Sequence, residues 1–310
     1  MFQLEEQFNV TRGATRAVFS GDGSRIAVAC GRKVIVRDSD GGMQDLSLQH
    51  AGPVSDVAWS PDGECLATAA DDFTVCVTHV AYGPLHRLAS HTAPVVAVRY
   101  NSRGNLLYSA SLDESIKVWD TLSGSLLKTI SAHSEAVVAV DLPRGDDADC
   151  SLLASGSHDG LIRLFDSVSG HCLRTLTYDK DWQLGKGVVP VVQVQFTRNA
   201  RFLLVRTLDG ALKLWDCVNG TVVRSFPWGT ASSSQLTHAC GQGVLYTAEQ
   251  PVVLAGGETG EIHCWDAQSK QHVQELQLSA APVISIDCWG DTMVALTLDG
   301  QCTRWRWVQV

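Results

Sequence analysis

One stretch of sequence recurs along the whole chain, and its period limits the fold more than any other feature. Its clearest copy is His91–Asp120. It has a histidine turn, an alternating apolar run, a polar turn, a second run, Ser-Ala-Ser-Leu-Asp, and a third run closing in Trp-Asp. Aligned on Trp119, the copies place Arg37, Thr78, Trp119, Phe165, Trp215, Trp265 and Trp305 at one point, with spacings of 41, 41, 46, 50, 50 and 40 residues. A period near 40 with several short strands per unit is the signature of a β-propeller blade.

Seven copies fill the 310 residues. The chain therefore reads as all-β, a single seven-bladed WD40 β-propeller. The blades fall at approximately 13–50, 51–90, 91–132, 133–177, 178–228, 229–279 and 280–310 plus 2–8. Within the third unit, Val95–Tyr100, Leu106–Ser109 and Ser115–Trp119 alternate as strands, and Leu126–Ile130 supplies a fourth. Asn, Asp and Gly between them accept tight-turn dihedrals. Phe2–Phe8 has no unit of its own. It is predicted to add the outer strand of blade seven beside Cys302–Val308, which removes a sheet edge. Three insertions interrupt the repeat, at Pro143–Cys150, Tyr178–Gly187 (which contains Trp182) and Phe226–Pro251. Loops of this kind often carry contacts.

His91, Ser109, Asp113 and Trp119 include the residue types of a hydrolase triad, yet His133, Ser155, Asp159 and Phe165 repeat the set one unit later. A catalytic site is single, whereas this set is periodic. The set resembles the buried hydrogen-bond network of WD-repeat blades, whose worth is structural because buried polar groups must be paired. No catalytic residue is assigned, since no unique nucleophile–base pair or glycine-rich phosphate loop stands out.

Composition bears on compartment and ligands. Apolar residues make up 45% and charged residues 18%, which suits a packed core. No apolar run reaches the roughly 18 residues of a membrane span. The acidic start MFQLEEQF is unlike a secretory signal, so a soluble, unsecreted protein is expected. The ten cysteines form no CxxC pair, and several lie in apolar runs, as Cys76, Cys264 and Cys302 do. Reduced buried thiols are expected, with no metal and no cofactor. The triplets at Asn9 and Asn219 are read as chance. A formal charge of −9 argues against direct nucleic-acid binding but is compatible with a basic peptide.

SASLDESIKVWD, SGSHDGLIRLFD with SGHCLRTL, and TLDGALKLWD resemble the WD-repeat-five family, the propeller subunits of histone methyltransferase complexes. The resemblance spans all seven units and is strongest from His91 to Arg224. DDFTVCVTHVAYGPLHRL, SHTAPVV, DTLSGSLLKTISAHSEAVVAVD, TLTYDKDW, CVNGTVVRSF and CTRWRWV are similar to the fungal COMPASS members of that family. The resemblance implies a nuclear, non-catalytic scaffold of a complex that methylates the fourth-position lysine of the histone-three tail. Its implied partners are the SET-domain catalytic subunit, a second WD-repeat subunit and other COMPASS subunits, with the nucleosome met indirectly.

Two faces follow from the resemblance. In the animal relatives one channel mouth clamps an arginine between two phenylalanines. Ser55, Asp71, Val96 and Val138 hold corresponding positions here. Val96 replaces the first phenylalanine and Val138 a serine, and the second phenylalanine falls in Leu236–Gly241, which has none. Losing the clamp forfeits ~1–2 kcal/mol per ring, about ten-fold in affinity, so weak or no arginine-peptide binding is expected. The alternative reading of these positions is channel-lining packing. On the opposite face, Asn199, Phe202, Leu214 and Arg224 match a cleft that accepts an acidic-hydrophobic peptide of the second WD-repeat subunit. The other reading of Phe202 and Leu214 is as ordinary strand residues. Rival functions are an enzyme with a site at the channel mouth, a free-standing histone-tail reader, and a scaffold of another complex.

Overall fold

The computed structural model describes residues 1–131, 133–144, 151–177, 188–226, 241–246 and 251–308. Among these residues the secondary structure is strand and turn without helix, with 28 strands in all. No helix there is long and apolar enough to cross a membrane. The strands form seven four-stranded sheets. The fold is thus all-β and seven-bladed, as the period requires. Residues 145–150, 178–187, 227–240 and 247–250, which take in Trp182 and much of the three insertions, lie outside the described residues.

The third blade shows why the repeat folds as it does. β10 (Val95–Tyr100), β11 (Leu106–Ser111), β12 (Ile116–Asp120) and β13 (Leu126–Ile130) pair antiparallel in chain order. β11 and β12 are buried almost throughout, so the polar Ser109, Ser111 and Lys117 among their apolar residues lie in the interior as well. β13 is mostly exposed, with Leu127 at 54%. The aspartate that closes Trp-Asp acts locally. Asp120 Oδ1 accepts the amides of Leu122 and Ser123 at 2.9 and 2.8 Å. Asp216 and Asp266 accept equivalent amide pairs, at 2.8 and 3.0 Å and at 2.6 and 3.0 Å. Each aspartate therefore turns the chain into the outer strand of its blade, an Asx-type turn.

The contacts divide the chain into two compact units. The first comprises Met1–Thr68, Thr78–Leu85 and Thr237–Val310, and the second Ala69–Val77 and His86–Leu236. In the first unit, β26 (Val283–Trp289), β27 (Thr292–Thr297) and β28 (Gln301–Trp307) form a sheet completed by β1 (Phe2–Asn9). Register runs from Phe2↔Trp307 to Asn9↔Gln301. The N-terminal segment is thus the outer strand of blade seven. Phe2 is buried among Leu245, Val252, Leu254 and Met293, edge-on to Trp307 at 5.0 Å. Glu5 bridges Arg304 and Arg306 at 3.2 and 2.8 Å, and Glu6 pairs with Arg37.

Within each unit a buried carboxylate ties one blade to the next. Asp141 closes β14 (Val137–Asp141), and its Oδ2 accepts the Phe196 amide of β18 (Val191–Phe196) at 2.7 Å. Asp287, at the same point of β26, accepts the Phe19 amide of β2 (Ala14–Phe19) at 2.9 Å. Both aspartates are 4% exposed. These bonds hold neighbouring first strands at a fixed offset, since an unpaired buried carboxylate or amide is costly.

Candidate interaction surfaces

The triad-like residues do come together, and their environment defines what they do. His91 Nδ1 lies 2.7 Å from Asp113 Oδ2, His91 Nε2 lies 2.8 Å from Ser109 Oγ, and Trp119 Nε1 donates to Ser109 Oγ at 2.9 Å. One proton arrangement satisfies all three bonds with a neutral imidazole. The indole is donor-only, so Ser109 accepts from it and donates its own proton to Nε2, which leaves the imidazole proton on Nδ1 facing Asp113. Burial lowers the His91 pKa despite the carboxylate, in keeping with a neutral ring. Burial pushes the Asp113 carboxyl up, but hydrogen bonds from Ser115, the Thr92 amide and His91 outweigh it and hold the pKa below the ordinary value. The connectivity is that of a Ser-His-Asp relay, yet Ser109 is 0% exposed and its oxygen is capped by the indole. No substrate reaches that oxygen in this fold. His133, Asp159 and Ser155 repeat the arrangement at 2.9 and 2.6 Å, with Arg163 added at 3.0 Å from Asp159 and Phe165 in place of the indole.

Departures from the network mark where blades lack support. In blade seven Trp305 Nε1 finds a local acceptor, Thr303 Oγ1, at 2.9 Å. In blade five Val205 stands where Ser109 stands in blade three, as the registers Val194↔Val205 and Val98↔Ser109 show. Trp215 Nε1 is buried there without an acceptor. Val205→Thr supplies a hydroxyl at that point and is expected to stabilise the protein by about 1 kcal/mol. In a thermal melt this is a rise of about 2–4 °C. A lower melting temperature for the variant would contradict the account.

Ser55, Val96 and Val138 occupy one register position, the second residue of the first strand in blades two, three and four, where β6 (Val54–Trp59), β10 and β14 run. All three are half-buried, while Asp71 is exposed just after β7 (Cys65–Ala70). Val96 and Val138 are aliphatic side chains without a ring or a charge to offer a guanidinium.

The blade-five residues share one side of their sheet. β19 (Phe202–Thr207), β20 (Leu212–Asp216) and β21 (Thr221–Phe226) pair so that Leu204, Leu214 and Arg224 form a row across the strands, with Phe202 two residues along β19 from Leu204. Phe202 and Arg224 are half-buried, whereas Leu214 is only 8% exposed. Leu214 therefore packs beneath the face rather than presenting itself on it. Asn199 is exposed in the turn before β19, where its Oδ1 accepts from Thr197 Oγ1 at 2.7 Å. A residue the sequence reasoning missed is Arg201. Its guanidinium lies over the Phe202 ring at 5.3 Å and 3.5 Å from Asp216, with the side chain 58% exposed. The run Arg198-Asn-Ala-Arg201-Phe202 was the available signal. Arg201 and Arg224 beside an aromatic ring suit an acidic-hydrophobic segment, the reverse of what the chain's net charge alone indicates.

Two further features emerge only in three dimensions. A cleft of about 440 Å³ is lined by Asn101, Arg103, Tyr108, Leu142, Pro143 and Val168. Among the described cysteines, Cys76, Cys264 and Cys302 are free and buried as expected, and burial pushes the Cys264 thiol up to about 12, whereas Cys172 departs from the expectation and is exposed.

Known proteins resemble this chain in two ways. The family model described as WD domain, G-beta repeat matches residues 44–78, 82–120 and 124–166. Periodic tryptophan protein 2 of Arabidopsis thaliana is 24% identical over 313 residues, covering 86% of this chain but 35% of that protein. Protein Notchless of Drosophila melanogaster is 36% identical over 94 residues, 28% of this chain and 19% of its own length. Likeness to these two is partial and follows the repeat. COMPASS component SWD3 of Saccharomyces cerevisiae differs in kind, being 49% identical over 318 residues that cover 99% of this chain and 100% of that protein. With 99% of its length inside that match, the chain belongs to the WD-repeat COMPASS-subunit family.

Proposed function

We propose that this chain is a non-catalytic scaffold subunit of a COMPASS-type complex that methylates the fourth-position lysine of the histone-three tail. The observation that carries the reading is the 49% identity to a COMPASS component over 99% of this chain and 100% of that protein. In this role the chain bridges the SET-domain catalytic subunit and a second WD-repeat subunit, alongside other subunits of the complex. It works in the nucleus and meets the nucleosome through its partners. The blade-five face, with Asn199, Phe202 and Arg224 above Leu214, is the seat of the second WD-repeat subunit. Arg201 adds a second guanidinium there. Ser55, Asp71, Val96 and Val138 each hold a position that matches the relatives' arginine site, degenerate here because an aliphatic Val96 gives no stacking surface.

The test is purification of the tagged chain from its own cells, followed by mass spectrometry. The wild type is expected to bring down a SET-domain protein together with a second WD-repeat protein. Phe202→Ala combined with Arg224→Glu is expected to lose the second WD-repeat protein and keep the SET-domain protein. Retention of both by the double variant would sink the assignment of the face. Absence of any SET-domain protein from the wild-type sample would sink the function itself.

A further inference from the structure

The outer edge of blade six carries a feature with no counterpart in the neighbouring repeats. At one point of the third strand, Lys117 faces Thr129, Arg163 faces Thr175 and Lys213 faces Ser225 across to the outer strand. In blade six the same point of β24 (Glu261–Asp266) holds His263, and it faces Glu275 of β25 (His272–Gln277). A cation beside a hydroxyl is replaced by an imidazole beside a carboxylate.

A second imidazole joins them through a backbone irregularity. His272 and Glu275 are three residues apart, and in a regular strand they would point to opposite faces. The register shifts between Cys264↔Gln274 and Trp265↔His272, so one residue, Val273, is skipped. That bulge resets the alternation and returns His272 to the side of Glu275. His263 Nδ1 lies 3.1 Å from His272 Nε2 and 3.9 Å from Glu275 Oε2, and the three donor atoms all lie within 4.8 Å of one another. A divalent ion with bonds near 2.1 Å holds its ligand atoms roughly 3.0–3.5 Å apart, so only a small side-chain adjustment separates this cluster from a coordination shell.

The rings are also held in place. His263 stacks on Trp265 at 5.6 Å and 26°, and His272 meets the same indole edge-on at 6.0 Å. Trp265 is 2% exposed and fixed in the core, so it anchors both imidazoles. β25 is the outermost strand of its sheet, and His272 and Glu275 are exposed, so an ion has free access from solvent.

We propose that His263, His272 and Glu275 form a binding site for a first-row divalent transition-metal ion of the zinc class. Two imidazole nitrogens and one carboxylate oxygen match the ligand preference of zinc, nickel and copper rather than that of magnesium or calcium. The bound ion clamps the edge strand β25 onto β24 and leaves its remaining coordination positions to water or to a donor from a neighbouring protein. This inference goes beyond the scaffold role and does not rest on it.

The experiment uses the full chain, stripped of metal by a chelator and then dialysed free of it. Zinc is titrated by calorimetry and nickel by quenching of tryptophan emission, for which Trp265 against the site is the reporter. The expected result is saturable binding of one ion per chain, with emission falling to a plateau. His272→Ala, on an exposed edge strand and compatible with folding, is expected to weaken binding by at least about ten-fold. Glu275→Gln weakens it less, and His171→Ala, an exposed histidine outside the cluster, leaves it unchanged. No saturable binding, or binding equally strong in His272→Ala, would overturn the proposal.

Discussion

Deleting residues 1–12 is expected to lower the stability of the chain by about 5 kcal/mol or more, against a typical total of roughly 5–15 kcal/mol for a folded protein. The strand removed, β1, pairs with β28 along most of its length. It also contributes Phe2, which is 5% exposed within the cluster shared by blades six and seven. Truncating one such phenylalanine costs about 3–5 kcal/mol. Val10, 9% exposed in a cluster with Phe19 and Ile284, is lost as well, and so are the Glu5 and Glu6 ion pairs. Removal leaves Gln301–Trp307 as a bare edge bearing Trp305 and Trp307, a template for association with other chains. The measurement is thermal unfolding by circular dichroism with sedimentation of the same sample. A fall in melting temperature of about 10 °C or more, with soluble aggregate, is expected. A truncated chain melting within a degree or two of the full chain would show that β1 does not close blade seven in solution.

Asp141→Ala is expected to cost about 3–5 kcal/mol, the range for removing one partner of a buried charge pair. Its carboxylate is 4% exposed, accepts the Phe196 amide at 2.7 Å, and lies 3.6 Å from the Arg99 guanidinium. Alanine leaves the Arg99 guanidinium of blade three and the Phe196 amide of blade five without the carboxylate they share. Burial pushes the Asp141 pKa up despite Arg144, Arg99 and the Phe196 amide. Because a raised folded value means that the folded state accepts the proton first, protonation of Asp141 favours folding as pH falls towards the ordinary aspartate value. Asp113 works in the opposite sense. Its lowered value contributes stability above the ordinary aspartate range, and that contribution is lost as pH falls through the folded value. Asp141→Asn retains an oxygen for the Phe196 amide and is expected to lose only about 1–2 kcal/mol. Urea unfolding ranks the two, with Asp120→Ala, which removes only a turn contact, as the milder reference. If Asp141→Ala unfolds at the same urea concentration as Asp120→Ala, the carboxylate between blades does not stabilise the contacts assigned to it.

Much of this protein was legible in its sequence because strand patterning is local. A side-chain period of two fixes which residues of Val95–Tyr100 face inward, and a unit period near 40 fixes how many sheets the chain makes. The pairing of Phe2–Asn9 with Gln301–Trp307 follows from the same count, since one blade lacks an outer strand and one strand lacks a blade. The periodic His, Ser and Asp could be recognised as scaffold for a comparable reason: one arrangement repeated in successive blades serves each blade.

Residue order was therefore enough for the class of fold, the number of blades, the closing strand and the family. How residues from different strands meet became visible only in three dimensions. Asp141 and Phe196 are 55 positions apart, and only the packing of two sheets makes them partners. Leu214 matches a cleft position of the relatives, but in the folded sheet it is only 8% exposed. His272 and Glu275 reach the same side only through the bulge at Val273. A bulge adds one residue to one strand and so reverses the phase of alternation. On an exposed outer strand, where polar and apolar side chains are both tolerated, no hydrophobic pattern records that reversal.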